Sequence, residues 1–238
     1  MYFFDGRIRY SETDSEGKLT LMSLLNYFQD CSIFHSEDVG LGMDYLSEHH
    51  MVWVLCSWQI VIERYPKVCE RVKIGTAPYK FKSFLGYRNF VMETEEGECL
   101  AKANSLWSLL DTDAGKTTAP PIEMIQGYTL YDRLEMDYAT RRIIIPEGGR
   151  DEEGIIVKKH HLDSNNHVNN GQFVDMAMEF LPSDFTVGQM RAEYKKQAFL
   201  NDTLYPHVAM ENGRAVVSLK DGTGSPYAVV EFTEGHAV

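Results

Sequence analysis

The ten residues from His161 to Asn170, "HLDSNNHVNN", hold one Asp, four Asn and two His, and run without a break into an apolar pattern of helical spacing. Each type in this run can do chemistry. His167 is the natural proton acceptor, because an imidazole with an unperturbed pKa of about 6.5 changes charge around neutral pH. Asp163, four residues earlier, is placed to hold the imidazole or a water. Asn165 offers an amide that donates to a carbonyl oxygen or accepts from water. Backbone N–H groups near Val168 to Asn170 fall in the first turn of the expected helix, unpaired and at the positive end of its dipole, where negative charge is favoured. The same residue types also start helices, so for Asn169 and Asn170 capping and direct contact both stand open.

The elements that position this cluster occur twice. In "TLMSLLNYFQDCSIFH", Leu21, Leu24, Leu25, Phe28 and Cys31 share one helical face, with Thr20 as N-cap and Gly40 past the end. Phe173, Met176, Ala177 and Phe180 repeat the spacing, and Pro182 stops the second helix. Strand-like sequence follows each helix, from "MVWVLCSWQIVIERY" to "CLAKANSLWSLLD" in the first half and from "VGQMRAEYKKQ" to "PYAVVEF" in the second. Without a gap, "TDSEGKLTLMSLLNYFQD" lies on "LDSNNHVNNGQFVDMAME" at an offset of 149 residues, which sets Asp14 on Asp163. A second offset, 132, sets Glu70 on Asp202. These matches predict a duplicated α+β unit. Where the second copy has Asn165 and His167, the first has Glu16 and Lys18, so only one copy carries the chemistry. A turn-forming role shared by Asp14 and Asp163 competes with a chemical role for Asp163.

Between Asp111 and Gly154 the pattern dissolves into turn residues, charges and paired prolines, placing domains at 1–122 and 153–238 with a linker over 123–152. The chain has 238 residues, 44% hydrophobic and 24% charged, as in soluble globular proteins, and no apolar run approaches the roughly 18 residues of a membrane span. "MYFFDGRIRY" lacks the pattern of a secretory leader, and the expected location is the cytoplasm. Four scattered cysteines, Cys31, Cys56, Cys69 and Cys99, form no CxxC pair, which argues against a zinc site or disulfide framework. The pairs His49–His50 and His160–His161 are read as solvated ends of strands, whose neighbours face opposite ways and do not share a metal. Gly40–Gly42 ends a helix rather than cradling a dinucleotide. A net charge of −12 argues against nucleic acid as a partner. An acidic protein partner would need a local basic patch, for which Lys158, Lys159, Arg191, Lys195 and Lys196 are the candidates.

The segments "YSETDSEGKLTLMSLLNYFQD", "VWVLCSWQIVIERYPK", "LAKANSLWSLLD" and "LDSNNHVNN" together resemble the acyl-acyl carrier protein thioesterases of plant plastids and bacteria, over nearly the whole chain. The family pattern D-x-N-x-H-V-N-N is met by Asp163, Asn165, His167, Val168, Asn169 and Asn170. The resemblance implies an α+β chain of two tandem hotdog domains, each an antiparallel sheet wrapped around a long central helix. It implies hydrolysis of fatty acyl-acyl carrier protein to free fatty acid, without metal or organic cofactor, by water attack assisted by His167 and Asp163. It also implies that the helix face with Leu24, Leu25 and Phe28 bounds the acyl chain, and Trp58, on a strand, is a further candidate to line it; core packing accounts for the helix face and for Trp58 as well. The plant block E-Y-R-R-E-C appears as "EYKKQA", with Gln197 at the second Glu and Ala198 at the Cys. An Ala cannot attack a carbonyl and a Gln cannot take a proton, so Gln197 is left to orient water or to fill space. Two alternatives stay in view: an acyl-coenzyme A thioesterase and a non-hydrolytic acyl-binding protein. Association into a homodimer through sheet edges stays open.

Overall fold

A computed structural model of the chain describes residues 1–235. The chain divides into two compact units: Met1–Cys56 with Glu63–Tyr138, and Ser57–Ile62 with everything from Ala139 onward.

The first unit opens with β1 (Tyr2–Arg7), then α1 (Leu21–Asp38) and the short α2 (Met43–Glu48). β2 (Met51–Ile62), β3 (Arg71–Lys82), β4 (Leu85–Thr94) and β5 (Cys99–Asp111) follow, with the two-residue β6 (Lys116–Thr117) and the short α3 (Ile122–Gly127) at the end. β1, β3, β4 and β5 are neighbours in that order, each pair antiparallel. α1 starts where expected: the Thr20 hydroxyl accepts the Ser23 N–H at 3.1 Å. Leu21, Leu24, Leu25, Phe28 and Cys31 all point inward, none more than 3% exposed, and Phe28 meets the Phe90 ring at 5.4 Å. Removing each such leucine from water is worth roughly 1.5–3 kcal/mol, which is what holds α1 against β3. Gly40, at φ +74°, then turns the chain in a conformation open to glycine.

The second unit contains β7 (Arg150–Asp151), β8 (Ile155–Ile156), α4 (Asn170–Met178), β9 (Val187–Tyr194), β10 (Thr203–Glu211), β11 (Arg214–Lys220) and β12 (Pro226–Glu234). β9, β12, β11 and β10 are antiparallel neighbours in that order, and Ser57–Ile62 of β2 belongs to this unit, paired with β9. α4 lays Phe173, Val174, Met176 and Ala177 on β11 and β12.

Several sequence expectations change. The second helix is nine residues against eighteen in α1, and Phe180 lies beyond it in a turn closed by its N–H on the Ala177 carbonyl. His160 and His161 are not on a strand end but in a single 3-10 turn, Lys159–His161, and His49 and His50 follow α2. The expected linker 123–152 is not a body of its own, because buried side chains grip its backbone. Asn89, 1% exposed, accepts the Leu134 N–H at 3.1 Å and the Tyr138 hydroxyl at 3.0 Å, while Met124 and Tyr128 pack with Leu41, Met51 and Leu109. From Ala139 the second unit takes over: Gln59 accepts the Ala139 N–H at 2.9 Å, Glu193 accepts the Ile143 N–H, and Arg214 donates to the Ile144 carbonyl at 2.7 Å. Residues 236–238 of the expected second domain lie outside the described residues.

Candidate active site

The loop before α4 is built by one carboxylate. Asp163 Oδ1 accepts the backbone N–H groups of Asn165 at 2.8 Å and His167 at 3.2 Å, and the Asp163 N–H closes the loop on the His167 carbonyl at 2.8 Å. Asn166 supplies the left-handed residue at φ +60°, a conformation that asparagine tolerates better than most residues. The first unit builds the same loop with Asp14. Its Oδ1 accepts from Glu16 at 2.9 Å and Lys18 at 3.0 Å, its N–H meets the Lys18 carbonyl at 2.8 Å, and Gly17 takes the left-handed position. The recorded contact of Asp163 to His167 is thus to its backbone, a turn-building role shared by both copies.

Asn169 is the N-cap of α4, its Oδ1 accepting the Gly171 N–H at 2.8 Å, as Thr20 caps α1. The Asn170 carbonyl accepts the buried Tyr194 hydroxyl at 3.0 Å; burial pushes that phenol's pKa far up, so it stays a donor. Of the three amides expected to await an oxyanion, two are spoken for: Val168 donates to the Ala198 carbonyl and Asn169 to that of His161, both at 2.9 Å. Only the Asn170 N–H has no acceptor among the described residues. The bond from Val168 to Ala198 also ties the exposed Gln197 segment to the residue after His167.

His167 is half-buried, and the Phe199 ring stands edge to face against it, 5.0 Å between centroids at 84°. Asn165, two residues earlier in the loop, is exposed. His161 accepts the Lys158 N–H on Nδ1 at 3.0 Å, which leaves the ring's proton on Nε2. Burial, then the neighbouring His160 and Lys158 charges, holds its pKa below the usual imidazole range, so it serves as a neutral clamp on the 3-10 turn. Neither Phe199 nor Tyr194 is among the site residues the sequence suggests, although laying Lys67 on Phe199 at the 132 offset points to the former.

The remaining candidates are placed as follows. Leu24, Leu25 and Phe28 lie in the first unit's core, and Trp58, 3% exposed, belongs to the second unit. Three of the five proposed docking cations are paired: Arg191 with Glu231 at 2.6 Å, Lys195 with Glu193 at 2.9 Å, and Lys196 with Asp221. Lys158 and Lys159 are exposed next to the site loop. All four cysteines fall in the first unit, and burial pushes the Cys31 thiol up to about 12. Among the described residues no three His, Cys, Asp or Glu side chains gather to hold a metal, and no helix is long and apolar enough to cross a membrane.

Two helix-bearing antiparallel units, each with an Asp-built loop before its helix and only one carrying the Asn and His, define a tandem hotdog protein. The model of the acyl-ACP thioesterase N-terminal domain matches residues 4–128 and that of the C-terminal domain residues 147–221, and the chain belongs to this family. It is 24% identical over 242 residues to the acyl-[acyl-carrier-protein] hydrolase FATB1 of Cuphea viscosissima, a match covering 91% of this chain and 58% of that protein. The chain thus spans a little over half the length of that relative. Among solved structures, an acyl-ACP thioesterase from Bacteroides thetaiotaomicron shares the fold with a TM-score of 0.90 at 18% identity, covering 98% of this chain and 97% of that one. A 12:0-ACP thioesterase from Umbellularia californica does so with a TM-score of 0.84 at 19% identity, covering 98% and 96%.

Proposed function

We propose that the chain hydrolyses fatty acyl-acyl carrier protein to free fatty acid and carrier protein, ending fatty-acid elongation, with His167 as the general base. The observation that carries this is the D-x-N-x-H-V-N-N loop, Asp163 to Asn170, seated at the mouth of α4 in a chain of this family. Relatives named as acyl-[acyl-carrier-protein] hydrolase and dodecanoyl-[acyl-carrier-protein] hydrolase support the substrate class.

Hydrolysis needs an activated water, donors for the oxyanion, and departure of a thiolate that is already a good leaving group. In this reading His167 takes a proton from water as its oxygen attacks the thioester carbon. The carbonyl π electrons move onto the oxygen, which the Asn165 amide and the Asn170 N–H stabilise. Collapse of the tetrahedral intermediate breaks the C–S bond, and the thiolate leaves with a proton returned through His167. Asp163 holds the loop that presents Asn165 and His167, and Gln197 orients the water from the neighbouring segment. Water is the nucleophile because Ala198 stands where plant relatives resembling this chain carry a cysteine.

Thiol release from a chain-length panel of acyl carrier protein thioesters, with matched coenzyme A thioesters in parallel, tests the proposal. Preference for the carrier is expected, and His167→Ala should lose at least about 100-fold in turnover. Preference for coenzyme A would move the substrate, silence on both would make the chain a binder, and near-normal turnover by folded His167→Ala would remove the base.

A further inference from the structure

We propose that Phe199 is a positioning residue for His167, holding the imidazole in its working orientation; this rests on His167 being the base. The duplicated fold supplies its own control. The turn carrying Phe199 is made by its N–H on Asp202 Oδ2 at 2.9 Å and by its carbonyl receiving the Asp202 N–H at 3.0 Å. In the first unit Lys67 makes the same turn with Glu70, at 2.8 and 3.0 Å. The surroundings match as well. The Leu19 N–H meets the Pro66 carbonyl as the Val168 N–H meets that of Ala198, and Cys69 and Asn201 share a left-handed φ of 68° and 69°. The turn therefore requires no aromatic ring at this position.

In both copies the same two positions face one another. Lys18 and Lys67 form an isolated antiparallel bridge in the first unit, and His167 and Phe199 stand ring to ring in the second. Lys18 turns its ammonium to Glu16 at 2.9 Å, whereas Asn165, at the position of Glu16, offers His167 no carboxylate. What replaces the ion pair is the Phe199 ring. That ring is 49% exposed, so burying it in a core is not its purpose. An edge-to-face ring contact fixes rotation about the imidazole's second side-chain torsion and keeps water from one side of the ring. The nitrogen that takes the proton is then held toward the substrate side instead of being averaged over rotamers.

The test is steady-state turnover of an acyl carrier protein thioester by Phe199→Ala, Phe199→Lys and Phe199→Tyr, alone and with His167→Ala. Phe199→Ala should lower kcat about three- to tenfold with KM changed by less than about twofold. Phe199→Tyr should restore kcat to within about twofold, and Phe199→Lys, which copies the first unit, should do no better than alanine. In the His167→Ala background Phe199→Ala should cost nothing further, because the two act as one unit. An equal cost in that background, a raised KM with kcat intact, or wild-type kinetics in Phe199→Ala would overturn the assignment. The His167 Cε1–H resonance reads the contact without activity. It should lose its ring-current shift in Phe199→Leu, and an unmoved resonance would sink the contact itself. Wild-type turnover by His167→Ala with that shift present would instead remove the base and leave the contact standing.

Discussion

Acid should destabilise the first unit through one buried histidine. His35, 6% exposed, accepts from Arg88 Nη1 through Nδ1 at 3.0 Å, stacks on Tyr2 at 5.0 Å and meets the Tyr128 ring edge-on at 5.4 Å. Burial, then the Arg88 charge and the chain's amino terminus, pushes its pKa down to about 4 from 6.5, against a weaker upward pull from Asp38. Unfolded, the same imidazole binds its proton at about 6.5. Between those values the unfolded chain holds more protons than the folded one, so stability is full above pH 6.5 and falls as pH drops toward 4. The difference of 2.5 pH units sets a ceiling of ~3 kcal/mol, of which about 2 kcal/mol is lost between pH 7 and pH 5. In His35→Asn the amide oxygen stands near the position of Nδ1, keeps an acceptor for Arg88 and cannot be protonated in this range. Urea unfolding at the two pH values, with hydrogen exchange of α1 amides reporting the first unit, should show wild type losing about 2 kcal/mol more than the variant. Parallel losses in the two proteins would refute the linkage to His35.

Asp163→Asn keeps an oxygen for the two loop N–H groups, so if the carboxylate only builds the loop the variant stays within about tenfold of wild-type turnover. A loss above about 100-fold in folded protein, with Asp14→Asn harmless, would show that the charge itself serves the reaction. Glu231, 4% exposed, is shared by Arg191 and Arg214. Glu231→Ala leaves both cations facing each other and should cost ~3–5 kcal/mol in urea unfolding; a cost below about 1 kcal/mol would contradict the pairing. If Lys158 and Lys159 receive an acidic carrier, kcat/KM for carrier thioesters should fall as salt rises, and the double alanine variant should flatten that slope. A slope equal to wild type would clear them of the role.

The helices and strands were legible where local chemistry decides them. Thr20 and Asn169 cap as their types suggest, the face of α1 is the one its leucines mark, and both offsets reappear as matching backbone hydrogen bonds. What the sequence did not disclose depends on side chains meeting across long separations. Asn89 reaching Leu134 and Tyr138, or Gln59 reaching Ala139, turns an apparent linker into part of each unit, and no periodicity announces such a grip. The pairing of three of the five basic residues was hidden for the same reason: Arg191, Lys195 and Lys196 read as free cations until their partners on other strands, or across a strand end, are known. At the site, residue types named the helix cap, but which amides are already bonded depends on where the Ala198 and His161 carbonyls fall.

Duplication makes the division of labour in the site readable. The Asp-built loop, the left-handed residue after it and the capped helix occur in both units, so none of them by itself sets the second copy apart from the first. The difference rests on a few side chains set on a common backbone: Asn165 for Glu16, His167 for Lys18, Phe199 for Lys67. Each change removes a charge that would pair within the loop or repel across it, and leaves a neutral donor, a titratable ring and an apolar wall. In the first unit the Lys18 ammonium pairs with Glu16 at 2.9 Å, whereas Asn165 and His167, on a backbone held by Asp163 as the first is by Asp14, form no such ion pair among the described residues. The backbone that holds the loop is therefore common to both copies, and the two part in the side chains set on it.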